Sequence, residues 1–530
     1  MVKLHLSYRF VLALALASSS LLAQTPTVAS AINLFDFSTN LCPGVGVSIY
    51  GTNFGSTASA VSFTVGGKPG YIAAVTPTQI NGQIPFEAST GPTTLVVTVN
   101  GTTSVPLALN LAATAPALFT VDQSGSGPVI GTLSPSNAYI TSPAPAKPGD
   151  VAVVYLTGLG VTNPATATGA VPASAPIASP VAMPTLTVGG QIASIISAVV
   201  APNAAGLFQV AFTVPAGIQG TVPISLSIGG KTTSPQTAQR PLTIPIFGIT
   251  SIQNNASFGS SGTTAGGTIV SLFGNGFGTT SQSTGFPSTT FQGVSVTFNG
   301  TAAPLFHLSV TAANTTTPPY SLGATQIDLL VPYELPTSGT VQVAVQTASR
   351  TTPNFPLTMA AASPGIYYIQ DPSTATRFNI LAQFNQTAWL NMPASMATAL
   401  KLPGNCAANN VNVLSVCGQP AAPGDYLVLY VTGLGLATPN GNPSGKPLMT
   451  GTVAPADGSV LYETVATPTL TVGGFSVTPV FSGIAPGFTG LYQVDFQVPT
   501  GVTGDDVPVV LSISGSPTDT RTMSIQPKAQ

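Results

Sequence analysis

The chain has 530 residues, of which only 5% are charged and 44% hydrophobic, with a formal net charge of −2. That length suits roughly three to five domains. So little charge excludes a basic nucleic-acid footprint, and so much hydrophobic content excludes a disordered chain. With 55 Gly and 49 Pro between runs of Val, Thr and Ser, the composition points to strands separated by turns, an all-β chain.

The first expected element is a signal peptide over residues 1–23. Lys3, His5 and Arg9 make a basic start, "FVLALALA" from Phe10 is a short apolar run, and Ala23 is a small residue before the expected cut. The run is shorter than the ~20 residues that span a bilayer. No later stretch is apolar for long enough, so no transmembrane segment is expected in the mature chain. The protein is therefore expected outside the cytoplasm, in the periplasm, on the cell surface or in the medium.

Four modules follow, in the order A1 (33–115), B1 (116–244), A2 (245–362) and B2 (363–527), the last carrying an insertion at 370–420. Within A1, "IYGTNFG" at 49–55, "VSFTVGG" at 61–67 and "TQINGQIPFE" at 78–87 return in A2 as "LFGNGFG" at 272–278, "VSVTFNG" at 294–300 and "TQIDLLVPYE" at 325–334. Within B1, "PGDVAVVYLTGLG" at 148–160 and "GLFQVAFTVPAG" at 206–217 return in B2 as "PGDYLVLYVTGLG" at 423–435 and "GLYQVDFQVPTG" at 490–501. A period above 100 residues marks tandem domains, since solenoid and propeller repeats run to 20–50. In "LYQVDFQVP", Tyr492, Val494, Phe496 and Val498 alternate with Gln493, Asp495 and Gln497, as in a strand with one buried face. "VGG", "VNG" and "FNG" close such runs as hairpin turns. Leu427–Val431 is continuously apolar and reads as a central strand covered on both sides, with Gly433 and Gly435 ending it at a sharp turn. The expected fold is a tandem of immunoglobulin-like β-sandwiches in an A-B-A-B duplication.

The A modules resemble IPT/TIG-type immunoglobulin-like domains through "GTNFG" and "GNGFG", each followed by an alternating strand. The B modules resemble an uncharacterised C-terminal domain family of secreted acidobacterial proteins, through "PGDYLVLYVTGLG", "PTLTVGG", "FSGIAPGFTGLYQVDFQVP" and "VPVVLSISG". B1 departs at "AVVAPNAAGLFQV", which lacks the "GIAPGFTG" phrase. The first resemblance implies binding or spacing roles in surface proteins. The second implies export and no known activity. Neither supplies a catalytic residue.

Little in the chain could carry chemistry. The mature chain has one His, His307, through which any Ser–His–Asp relay must run, and too few His and Cys for the usual zinc sets. No catalytic residue, cofactor or metal site is expected. Glu87 and Glu334 share a slot at a strand end and read as structural. Asp150 and Asp425 share the "PGD" slot and read as turn caps. "GDD" at 504–506 holds too few oxygen ligands for a calcium site, and "GNGFG" at 274–278 has neither the spacing nor the helix of a nucleotide loop. Of the three cysteines, Cys406 and Cys417 close a short loop and are the natural disulfide of an exported protein, leaving Cys42 over; Cys42 paired across domains is the second option. The 370–420 insertion holds the only Trp, and Trp389 together with Tyr367 and Tyr368, which lie just before the insertion, are the candidate ligand-binding residues, unless the insertion packs down and buries Trp389. The leading expectation is a secreted non-enzymatic structural or adhesion protein. The alternative is a carbohydrate-binding protein using the insertion, and the remote alternative a hydrolase using two of the fourteen acidic side chains. Partners would be an extracellular glycan or a surface protein, with no nucleic acid.

Overall fold

The computed structural model describes residues 24–527 apart from 171–176, 203, 260, 261, 316–318 and 320, so the expected signal peptide lies outside the described residues. Among the described residues the regular structure is almost all strand, with one α-helix, Ala394–Ala399. No helix there is long and apolar enough to cross a membrane. Four large apolar cores follow one another along the chain, in A-B-A-B order. Each lies between two sheets of mainly antiparallel strands, as alternating sequences demand: one face of every strand needs a partner sheet and the other can face water.

In A2 the first sheet runs Gly248–Asn254, Ile269–Asn275, Ala324–Leu330, Leu305–Thr311 and Gln282–Ser288, and the second centres on Gly339–Gln346 between Ser295–Phe298 and Phe355–Met359. A1 repeats the plan with Gly46–Thr52 beside Gln79–Gln83, against Val61–Val65 beside Gly91–Val99. The turn "FNG" behaves as expected: Asn299 and Gly300 take φ of 46° and 85° between Ser295–Phe298 and Thr301–Ala302.

In B2 the front sheet is built around Tyr426–Thr432, which pairs with Ala382–Phe384 on one side and Tyr492–Gln497 on the other. The strand is central, as its composition suggests, yet it is covered on one face only. Leu427, Leu429 and Val431 are fully buried, Val428 and Tyr430 are half-buried, and Tyr426 is 48% exposed. The expectation of two covered faces fails because a two-sheet sandwich offers only one inner face. B1 and B2 differ in one instructive place. In B1 the ten-residue strand Gln191–Val200 pairs with Phe208–Thr213 along one half and Thr185–Val188 along the other, tying the sheets together. In B2 the same stretch is two strands, Phe475–Val477 and Phe481–Ile484, with Pro479 between them. A proline supplies no N–H for a ladder and breaks a strand.

The 370–420 insertion is woven into both B2 sheets. Phe378–Ile380 lies parallel to Arg521–Ile525 in the back sheet, while Ala382–Phe384, Trp389–Asn391 and Cys417–Gln419 widen the front one. The helix Ala394–Ala399 closes a small apolar cluster of Met392, Met396 and Ala397.

Candidate functional site

The repeated phrase "TGLG" has a second task beside ending a strand. Thr157 and Thr432 are fully buried. Each hydroxyl donates within its own module, to the carbonyls of Gly206 and Gly490, both at 2.8 Å. Each also accepts a backbone N–H of the preceding A module, from Gly46 and Ile269, both at 2.8 Å. One hydroxyl thus uses its donor and one acceptor site to bolt two sandwiches together. The glycine that follows is required for the same joint. Gly158 and Gly433 take φ of 81° and 76°, and a Cβ there would collide with the carbonyl oxygens of Ala115 and Ser363 in the chain connecting A to B.

A second pair of contacts closes the other side of each joint. Phe86, at the end of an A1 strand, belongs to the B1 core, and Tyr333 packs against the B2 core. The Tyr333 hydroxyl accepts the Gly490 N–H at 2.9 Å. The neighbouring glutamates clasp the B module. Glu87 accepts from Thr168 N at 3.3 Å and its Oγ1 at 2.5 Å, and Glu334 from Thr450 N at 2.9 Å and its Oγ1 at 2.5 Å. The same hydroxyls accept the N–H of Phe86 and Tyr333. Partial burial pushes both carboxyl groups up, but the hydrogen bonds from threonine outweigh it and hold both below the usual glutamate range. The structural reading of the shared glutamate slot is therefore met by an inter-module contact, not by a local turn. Asp150 and Asp425 do cap turns, accepting the N–H of Lys147 and Ala422 at 2.9 and 2.8 Å.

B1 and A2 are joined by different residues. Gln219 bridges Ile249 N and the Asn354 carbonyl, and Asn275 donates to Thr221.

The three aromatic candidates are not brought together. Tyr367 sits at the A2–B2 joint, its hydroxyl donating to Asn255 at 3.3 Å, and burial with the nearby Asp328 raises its ionisation well above the usual range. Tyr368 belongs to the back sheet, edge-on to Phe378 and 4.6 Å under the Arg521 guanidinium. Trp389 is half-buried at the edge of the B2 core, and its indole N–H donates to the Asn412 carbonyl at 3.3 Å. Asn412 lies in the loop closed by the Cys406–Cys417 disulfide. Cys42 is free and buried in the A1 core, where desolvation pushes its thiol up to about 12.

His307 stands 3.6 Å from Asp328, and Ser271 donates to the other oxygen of the same carboxylate at 2.7 Å. A relay needs the imidazole between acid and serine; here the acid lies between them. The "GDD" acids are spoken for: Asp505 accepts from Ser524, and Asp506 pairs with Arg377 at 2.6 Å. Among the described residues no group of three or more His, Cys, Asp or Glu could hold a metal ion.

Residues 32–120 match the IPT/TIG domain family. That match supports the resemblance for A1, while the resemblance of the B modules to the acidobacterial family finds no support. No curated protein matches the chain. Among solved structures, the plexin A4 extracellular region is similar at 10% identity over 93% of this chain and 30% of its own, with a TM-score of 0.24. A Bacteroides ovatus protein from a mixed-linkage glucan utilization locus, solved with a mixed-linkage heptasaccharide, is similar at 12% identity over 90% and 92%, with a TM-score of 0.16. A surface glycan-binding protein of Prevotella bryantii is similar at 12% identity over 52% and 58%, with a TM-score of 0.15. The chain spans about 30% of the plexin's length and 58% of the Prevotella protein's. Scores this low bear on neither ligand nor partner.

Proposed function

We propose that this chain is a secreted, non-enzymatic structural or adhesive protein whose sandwiches are locked into stiff A–B pairs. The observation that carries the reading is the joint built twice from the same residues. A threonine bolt, an aromatic plug and a glutamate clasp recur at A1–B1 and at A2–B2. A chain that needed only flexible spacing would not hold two buried hydroxyls and two cross-module carboxylates in place twice. The buried disulfide suits an oxidising compartment, which favours export. The His307–Asp328–Ser271 order favours the non-enzymatic reading.

Small-angle X-ray scattering of the mature chain, residues 24–530, tests stiffness. The expected profile fits one narrow conformation. A variant carrying Thr157→Val, Thr432→Val, Glu87→Gln and Glu334→Gln should need a broad ensemble. A native chain that already scatters as a broad ensemble, indistinguishable from that variant, would remove the basis for a stiff array.

A further inference from the structure

The two B modules carry the same front sheet with different outer faces, and the difference is chemical. On the two central strands of B1 the outward residues are Val151, Val153 and Tyr155, opposite Thr213, Ala211 and Gln209. On the same strands of B2 they are Tyr426, Val428 and Tyr430, opposite Gln497, Asp495 and Gln493. The next strand adds Phe481 beside Asp495, where B1 has Ser197 beside Ala211. B2 has thus replaced Val, Ala, Thr and Ser by Tyr, Asp, Gln and Phe at four facing positions while keeping the register of the two central strands. None of these four is needed to build the sandwich, because B1 builds it without them.

The geometry gives the face a form. Tyr426 and Tyr430 lie four residues apart on one strand, ~13 Å at the usual rise, on the same side. Phe481 lies over Gly483, whose Cβ would sit 2.8 Å from the ring. The same Cβ would sit 2.3 Å from the Tyr462 carbonyl oxygen, so both the neighbouring strand and the Phe481 ring close on this glycine, whereas B1 has Val199 at that place. Between the aromatic groups runs a polar ladder. Gln493 donates to Asp495 at 3.3 Å, and the Tyr430 hydroxyl donates to Gln383 at 2.8 Å. Tyr367, beside Tyr430, closes the end of the face at the A2 joint.

We propose that this outer face of B2 binds an extended, uncharged glycan chain, with Tyr426, Tyr430 and Phe481 as stacking surfaces and Gln493, Asp495 and Gln497 as hydroxyl partners. The charge pattern selects this occupant. The front-sheet strands Ala382–Phe384, Tyr426–Thr432, Tyr492–Gln497, Phe481–Ile484 and Tyr462–Thr464 carry the acids Asp495 and Glu463 and no Lys, Arg or His, which opposes acidic polysaccharides and nucleic acid. Half-burial pushes the Asp495 carboxyl up to about 6, so it is a weaker lure for cations than an ordinary aspartate. What remains is a ligand with flat apolar ring faces and many hydroxyl groups. The proposal is independent of the stiffness of the array, and it places the glycan on the outer face of the front sheet, whereas Trp389, two strands from Tyr426–Thr432 in that sheet, packs against the B2 core.

The test is native affinity electrophoresis of the mature chain in gels cast with hydroxyethyl cellulose, mixed-linkage β-glucan, galactomannan, xylan or laminarin. At least one should retard the protein. Tyr426→Val, Phe481→Ser and Asp495→Ala each install the residue B1 already carries, so the fold is expected to survive, which thermal unfolding checks. Each should weaken retardation about tenfold, the factor that 1.4 kcal/mol of lost contact gives. Tyr155→Ala in B1 and Trp389→Ala should leave it unchanged. No retardation by any polysaccharide would overturn the proposal. So would retardation untouched by the three face substitutions, or abolished by a folded Trp389→Ala.

Discussion

Thr432→Val separates the bolt from the sandwich it sits in. Valine keeps the shape and removes the hydroxyl, so the Ile269 N–H and the Gly490 carbonyl both lose their partner. The site is fully buried at Thr432. A buried donor left without a partner costs about 1–3 kcal/mol. The Ile269 N–H has its acceptor in the neighbouring module, so opening the joint exposes it without unfolding either sheet. Its hydrogen exchange therefore reports the joint alone, and the lost energy should speed exchange by ~5- to ~150-fold, at 1.4 kcal/mol per tenfold. Thr157→Val should do the same to the Gly46 N–H, whose partner is Thr157 Oγ1 at 2.8 Å. Thr432→Ser keeps the hydroxyl and should stay near the native rate. The assay is amide exchange by mass spectrometry on the mature chain, with core strands such as Tyr492–Gln497 as the internal reference. If Ile269 exchanges no faster in Thr432→Val than in the native chain, or only together with the core strands, the threonine does not hold the joint.

The glutamate clasps should make both joints sensitive to acid. Each folded carboxyl titrates below its ordinary range, so its contribution is present above that range and disappears as the pH falls through the lowered value. Protection at Thr168 and Thr450 N–H, taken relative to the intrinsic exchange rate at each pH, should therefore fall in the native chain as the pH drops below the ordinary glutamate range, and Glu87→Gln with Glu334→Gln should flatten that dependence; a native profile with no acid-dependent step would count against the clasp. Reduction of Cys406–Cys417 removes a cross-link with a sequence separation of 11 residues, worth about 3 kcal/mol in the chain-entropy model. It should free the Asn412 carbonyl from the Trp389 indole and shift the tryptophan emission to the red, and an unchanged spectrum after verified reduction would show that the loop holds its place without the bridge. Cys42, with its thiol pushed up to about 12 in the A1 core, should resist iodoacetamide at pH 8 in the native chain and react after unfolding; labelling of the folded protein would contradict its burial.

Much of the fold was legible before the structure because alternation and turn chemistry are local. Strands such as Tyr492–Gln497 and hairpins such as Asn299–Gly300 need only their own residues and their immediate neighbours to be recognised. The disulfide was legible for the same reason, since its two cysteines lie close in sequence. The joints and the proposed B2 face were not. Tyr367 and Tyr368 are adjacent in the chain and look like a pair, but strand geometry sends them to different neighbours, one toward A2 and one under Arg521. Trp389 draws attention as the only tryptophan, yet it serves the edge of the B2 core. A comparison of the two copies position by position was the available signal for the B2 face: Asp495 against Ala211 and Tyr426 against Val151 stand in matched phrases.

The amino-acid sequence by itself determined the all-β class, the duplication and the disulfide pair, because periodicity, turn residues and short spacing act through the nearest neighbours in the chain. Only the tertiary structure decided what the repeated phrases join. Thr157 meets Gly46 across 111 residues, and Thr432 meets Ile269 across 163. Pairings over such distances depend on how two finished sandwiches dock, which no local pattern encodes.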